Sequence, residues 1–130
     1  MLDIEIKHQI PSQTLADWVV TAFEGGSAYW CISAPLTTIP TYVPEKDQVG
    51  VVRYSHRQVY EGDFQFTVKY DHEEPETKLV GPAEFKAGIE KLALKRGDIF
   101  SKLVDPDADF DAGDADVFWQ FIVLGEEVYG

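Results

Sequence analysis

A chain of 130 residues with 45% apolar and 13% aromatic side chains can build one domain around its own core without metal or disulfide staples. Its 23 acidic residues against 11 basic ones leave a formal net charge of −12, a field that repels nucleic-acid phosphates and anionic membranes and argues against direct binding to either. The single cysteine, Cys31, excludes an internal disulfide framework and points to a reducing compartment, where it is read as a core thiol.

Leu2, Ile4 and Ile6 alternate with Asp3, Glu5 and Lys7, the period-two pattern of a half-buried strand. The stretch Met1 to Ile10 does not resemble a signal peptide, and no apolar run approaches the roughly 18 residues of a membrane helix, so a cytosolic protein is expected. Pro11 and Ser12 open the first helix, with Ser12 as its cap and Leu15, Trp18, Val19, Ala22 and Phe23 as its apolar face. Gly25 is expected to stop it. The segment Glu24-Gly25-Gly26-Ser27-Ala28-Tyr29-Trp30 then joins the helix end to an aromatic pair through two residues free to take left-handed angles. Tyr29, Trp30, Cys31 and Ile32 read as a buried strand, with the aromatics in the core. The alternative keeps this fold and lets Glu24, Tyr29 and Trp30 line a pocket at the helix end.

From Ser33 to Gln48 three prolines, Pro35, Pro40 and Pro44, mark an irregular loop of a length that often carries function. Val49 to Tyr60 and Asp63 to Tyr70 are rich in β-branched and aromatic residues, and Glu61-Gly62 between them predicts an antiparallel hairpin with its tip at Gly62. Asp71, Glu73, Glu74 and Glu76 form an acidic linker before a short edge strand, Thr77 to Val80. Gly81-Pro82 starts a helix running to Lys95, with Phe85, Ile89, Leu92 and Ala93 inward and Lys91, Lys95 and Arg96 suited to the negative end of its dipole. Asp98 to Leu103 is a further short helix. Asp111 or Asp114 caps a last helix containing Val117, Phe118, Phe121, Ile122 and Leu124, closed by Gly125, with Glu127 to Tyr129 extended. These elements predict a single α+β domain, a mostly antiparallel sheet packed against two or three helices.

The segment from Thr21 to Trp30, together with the ending from Asp114-Ala115-Asp116 through Gln120 to Leu124-Gly125-Glu126-Glu127-Val128-Tyr129-Gly130, resembles a family of small bacteriophage and prophage proteins. The resemblance covers these two segments. Leu124 stands where the family tends to carry phenylalanine, and Glu127 where it tends to carry a smaller aliphatic residue. The resemblance implies a phage-encoded protein of the bacterial host cytoplasm and brings no reaction with it. It also implies that the two segments meet in space, so that Glu24, Tyr29, Trp30, Asp114, Asp116 and Tyr129 share a wall.

Catalytic motifs are thin. His8, His56 and His72 lack paired metal-site spacing, and neither a phosphate-binding glycine loop nor a Gly-x-Ser-x-Gly elbow is present. Glu24 with Asp114 could serve as an acid–base pair, but so many carboxylates bring some together by chance. The run Asp105-x-Asp107-x-Asp109-x-Asp111 invites a calcium loop, yet counted from Asp107 the sixth and twelfth positions hold Ala112 and Phe118 instead of glycine and glutamate. No catalytic residue, metal or cofactor is assigned, and an enzyme is not expected.

Two readings of function follow. In the first, Asp105, Asp107, Asp109, Asp111, Asp114 and Asp116 copy the charge of nucleic acid, and the protein is a counter-defence inhibitor of a host nucleic-acid-handling complex. In the second, a small nucleotide-like signal stacks on Tyr29 or Trp30 while Glu24, Arg53, Arg57, Gln120 or Tyr129 hold its polar edge. The aromatic pair could also form a seam between two copies. The net charge favours the first.

Overall fold

The fold is that of a computed structural model, which describes residues 1–38 and 54–130. Most of the expected loop at 33–48, the start of the expected hairpin and Arg53 lie outside the described residues. In chain order the elements are α1 (Ser12–Thr21) with a π-helical turn (Ala22–Gly26), β1 (Cys31–Ser33), β2 (Leu36–Thr38), a 3₁₀ turn (Arg57–Glu61), β3 (Gln65–Tyr70) and β4 (Glu76–Val80). Then come α2 (Pro82–Lys95), α3 (Gly97–Val104) and α4 (Ala112–Leu124). The domain is α+β as its pattern predicts, with four helices and one antiparallel sheet among the described residues.

β3 is the central strand. β4 follows one of its edges in unbroken register from Phe66↔Val80 to Tyr70↔Glu76. β1 and β2 lie end to end along the other, at Cys31↔Tyr70 and Leu36↔Phe66, bridged where Thr67 N–H donates to Pro35 O at 3.0 Å. The hairpin therefore lies one step later than the composition suggested. Its turn is the acidic segment at 71–75, where Asp71 takes φ 70° and its Oδ1 accepts from the N–H groups of Glu73 and Glu74. The described part of the expected preceding strand curls into the 3₁₀ turn. From there Val59 and Tyr60 reach the core as neighbours, which alternate faces of a strand would forbid.

Helix starts and stops follow local chemistry. At α2 the Glu84 carboxylate accepts from Gly81 N–H at 2.8 Å, with Pro82 in the first turn. At α4 Asp111 and Asp114 cap each other reciprocally: Asp114 N–H donates to Asp111 Oδ1 at 2.8 Å and Asp111 N–H to Asp114 Oδ2 at 3.1 Å. Gly125, at φ 77°, closes the helix as expected. Two expectations for the first helix need correction. Ser12 is its first residue rather than a side-chain cap, and neither Gly25 nor Gly26 takes a left-handed angle; the chain instead carries on through the π turn.

α4 is the centre of the core. Ala115, Phe118, Trp119 and Phe121 through Val123 are buried on it, enclosed by α1, α2 and the sheet, so it is apolar almost all round. α2 crosses α4 at Gly88, where a Cβ would stand 2.6 Å from Ile122 Cα; only a glycine admits this backbone contact. Trp18, Trp30, Phe66, Phe85 and Leu92 complete the interior. The expected strand at Leu2, Ile4 and Ile6 does not form. Residues 1–10 carry no regular structure and pair with no strand among the described residues, and the three side chains are exposed.

Candidate functional site

The two segments singled out by the resemblance do meet, and the residue that joins them is Asp116. Gly26 makes the approach possible, because a Cβ there would fall 2.4 Å from the Ala112 carbonyl oxygen and 3.3 Å from Asp116 Cβ. The second glycine thus serves close packing of the π turn on the start of α4. Asp116 is 7% exposed and accepts four hydrogen bonds. Its Oδ1 receives Ser27 Oγ–H at 2.8 Å and Trp30 Nε1–H at 2.7 Å; its Oδ2 receives Tyr29 O–H at 2.6 Å and Gln120 Nε2–H at 3.1 Å. A buried carboxylate costs several kcal/mol unless its lone pairs are met, and here all are.

Gln120, one turn further along α4 and fully buried, carries the network to the C-terminal segment. Its Oε1 accepts from the N–H groups of Val128 and Tyr129, both at 2.8 Å, and its Nε2 donates to Tyr129 O at 3.0 Å. Tyr129 in turn stacks on Trp30, with ring centroids 5.4 Å apart and planes 9° from parallel, while Tyr29 meets it edge-on. The arrangement is a staple that fastens the π turn, α4 and the chain end to one another.

Its titration behaviour suits a staple better than a reaction centre. Partial burial, then the hydrogen bond to Asp116, push the Tyr29 phenol up to about 12, so it is protonated throughout the neutral range. Tyr70 is raised through its hydrogen bond to Glu76, and Tyr129 by burial with Asp71 and Glu76 nearby. Burial also raises the Cys31 thiol, outweighing the Trp119 indole N–H that pulls it down. Among the described residues that buried N–H makes no full hydrogen bond. Neither the tyrosines nor the thiol is set up as a nucleophile.

Of the residues expected to share this wall, Tyr29, Trp30, Asp116 and Tyr129 do. Glu24 is exposed with no polar partner among the described residues, and Asp114 faces the other way, paired with Lys102 at 2.9 Å. Trp30 is 1% exposed and its ring face is already occupied by Tyr129, so Trp30 is not an open shelf, while Tyr29 is 52% exposed. The buried strand expected over Tyr29 to Ile32 is instead a turn leading into β1, and of its two aromatics only Trp30 lies in the core. The open concavity nearby, about 510 Å³, is lined by Phe23, Ser27, Cys31 and Tyr54 among others and not by Tyr29 or Trp30. Gln120 has no hydrogen-bonding capacity left for a ligand, and Arg57 is exposed on the 3₁₀ turn. Sequence reasoning missed Ser27 as a donor and Gln120 as a hub. For Gln120 a signal was present, since Asp116 and Gln120 are four apart and are the polar residues of α4 beyond its first turn.

The acidic residues expected to form a docking face divide. Asp105, Asp107, Asp109 and Asp111 are exposed on the loop between α3 and α4. Asp114 is neutralised by Lys102, which it raises, and Asp116 is removed from any docking face by burial. The loop itself is pinned. Phe110 stacks on buried Trp18 at 4.3 Å and 11°, Asp105 Oδ1 accepts from Asp107 N–H at 2.9 Å, and Asp111 caps α4. Asp107 and Asp109 have no ion pair or side-chain hydrogen bond among the described residues.

Basic groups gather at one open concavity of about 490 Å³, where Lys91, Lys95 and Arg96 line the C-terminal ends of α2 and α4. Arg96 is held by Asp98 and Glu127, and both helices end there with carbonyls outward, which disfavours an anion. Among the described residues no group of three or more His, Cys, Asp or Glu side chains could hold a metal ion, and no helix is long and apolar enough to cross a membrane. Comparison with protein-family models, with curated proteins and with solved structures finds no match, so the functional reading rests on this geometry.

Proposed function

We propose that the protein is a non-enzymatic docking factor that presents the carboxylates of its α3–α4 loop to the basic, nucleic-acid-binding groove of a host complex. The observation that carries this reading is the combination of a pinned backbone with unpaired charge. Asp107 and Asp109 stand on a loop held at its start by the Asp105 turn, which accepts from the N–H groups of Asp107 and Ala108, and at its end by the Phe110–Trp18 stack next to the α4 cap. Charges held in place by the fold lose little conformational freedom on binding, and their field steers a basic partner. The resemblance to phage proteins supplies the setting, a counter-defence inhibitor acting in the bacterial cytoplasm. The competing idea of a flat signal stacked on Trp30 would require Tyr129 to leave its place.

The structure refines which residues test the proposal. Asp111 caps α4 and Asp116 holds the staple, so reversing either would confuse docking with stability. The double variant Asp107→Lys, Asp109→Lys changes charge alone. Immobilised wild-type protein is expected to retain, from bacterial extract at low salt, a nucleic-acid-binding complex that both added salt and added DNA displace. Retention that survives the double variant, or that DNA does not compete, would sink the proposal.

A further inference from the structure

The N-terminal residues carry a strand pattern but pair with no strand among the described residues. Leu2, Ile4 and Ile6 are 83%, 69% and 74% exposed, and Met1 is fully exposed. The arm is nonetheless tethered. His8 packs edge-on against Phe100 at 5.2 Å, and Ile10 packs against the core. Where the arm leaves the body, Ile6 joins Ile89, Leu94 and Phe100 in lining an apolar groove of about 630 Å³ along α2, and Leu94 is 83% exposed. Leu2, Ile4 and Ile6, with Leu94 near them, therefore stand in water on a segment that has no regular structure and pairs with no strand among the described residues. Exposed large apolar side chains occur elsewhere, as at Leu79 and Val128, but here several gather beside one apolar groove, and a patch of this kind marks an association surface.

We infer that this arm pairs with the same arm of a second copy, across a two-fold axis, as an antiparallel strand pair lying over the α2 grooves. The sequence is self-complementary in two registers: with Ile6 opposite the partner's Ile6, Glu5 meets the partner's Lys7 but His8 is drawn into the pairing, whereas the register taken here uses residues 3–7 alone. With Ile4 opposite the partner's Ile6, Asp3 stands opposite the partner's Lys7 and Lys7 opposite the partner's Asp3. Glu5 then faces its own counterpart at the axis, a single like-charge contact. Moving the register so that Ile4 faces the partner's Ile4 sets Asp3 against the partner's Glu5 twice, and is disfavoured. The chosen register aligns residues 3–7, all of which precede the His8 tether, and leaves His8 on Phe100. It also gathers the apolar side chains on one face, where they cover Ile89 and Leu94.

Because each copy carries a net charge of −12, the dimer forms against mutual repulsion and should tighten as salt rises. Docking to a basic partner should weaken under the same change. Sedimentation equilibrium of the full chain over a concentration and salt series reads this directly. The wild type is expected to dimerise, and Ile4→Lys with Ile6→Lys to be monomeric with an unchanged circular dichroism spectrum, since both side chains lie in solvent. The register is tested by charge exchange: Asp3→Lys and Lys7→Asp should each weaken the dimer several-fold, and the two together should restore it. A wild type that stays monomeric at all salt concentrations would overturn the inference. So would a dimer indifferent to the isoleucine changes, or paired charges that show no rescue.

Discussion

Asp107 and Asp116 are nine residues apart, carry the same side chain and belong to the same acidic run, yet the fold uses them in opposite ways. Asp107 is in water with no side-chain partner among the described residues, while Asp116 is buried beneath four donors drawn from two parts of the chain, residues 27–30 and α4. Between them Asp111 and Asp114 take intermediate roles, one capping α4 and the other sharing that cap with a Lys102 ion pair. Composition treats the six aspartates as one cluster. What separates them is position relative to the first turns of α4: before the helix the side chain meets solvent, at its start the free N–H groups, and one turn in the packed π turn.

The contrast is broken most strongly at its buried end. Asp116→Ala would strand the Ser27, Tyr29 and Trp30 donors and is expected to lower unfolding free energy by about 3 kcal/mol or more in urea titration. A loss below about 1 kcal/mol would show that the staple is replaceable by water. Next, Asp111→Ala should cost about 1 kcal/mol through the α4 cap. Asp107→Lys should stay within about 0.5 kcal/mol, so that its whole effect appears in partner binding.

The same contrast has a pH signature. Tyr29 has its folded pKa raised to about 12 from the ordinary 10.0. Such a group contributes its stabilisation in full below the unfolded pKa, and loses it as pH rises through the folded value. Tyr70 and Tyr129 shift in the same direction. Stability is therefore expected to fall between pH 10 and about 12, and Tyr29→Phe should flatten part of that fall while costing about 1 kcal/mol at neutral pH. An alkaline denaturation curve identical in both proteins would remove Tyr29 from the network.

Much of the architecture was legible in local chemistry. The bounds of α2, the short α3, the Asp111 cap and the Gly125 stop were all marked by their own residues, and β4 was readable from its pattern. The apolar face of α1 was correct as well, since Trp18, Val19 and Ala22 are buried on it. These features depend on contacts within a few positions along the chain, so the sequence by itself determined them. Tertiary structure decided the rest. Gly26 is small because α4 arrives against it, and the Asp116 network joins groups 86 or more residues apart. No local rule can rank one aspartate of a run above another when the donors that distinguish it come from elsewhere. The alternation of Leu2, Ile4 and Ile6 is the converse case: a period-two pattern shows that one face seeks burial, but only the assembled fold reveals that this chain leaves that face uncovered.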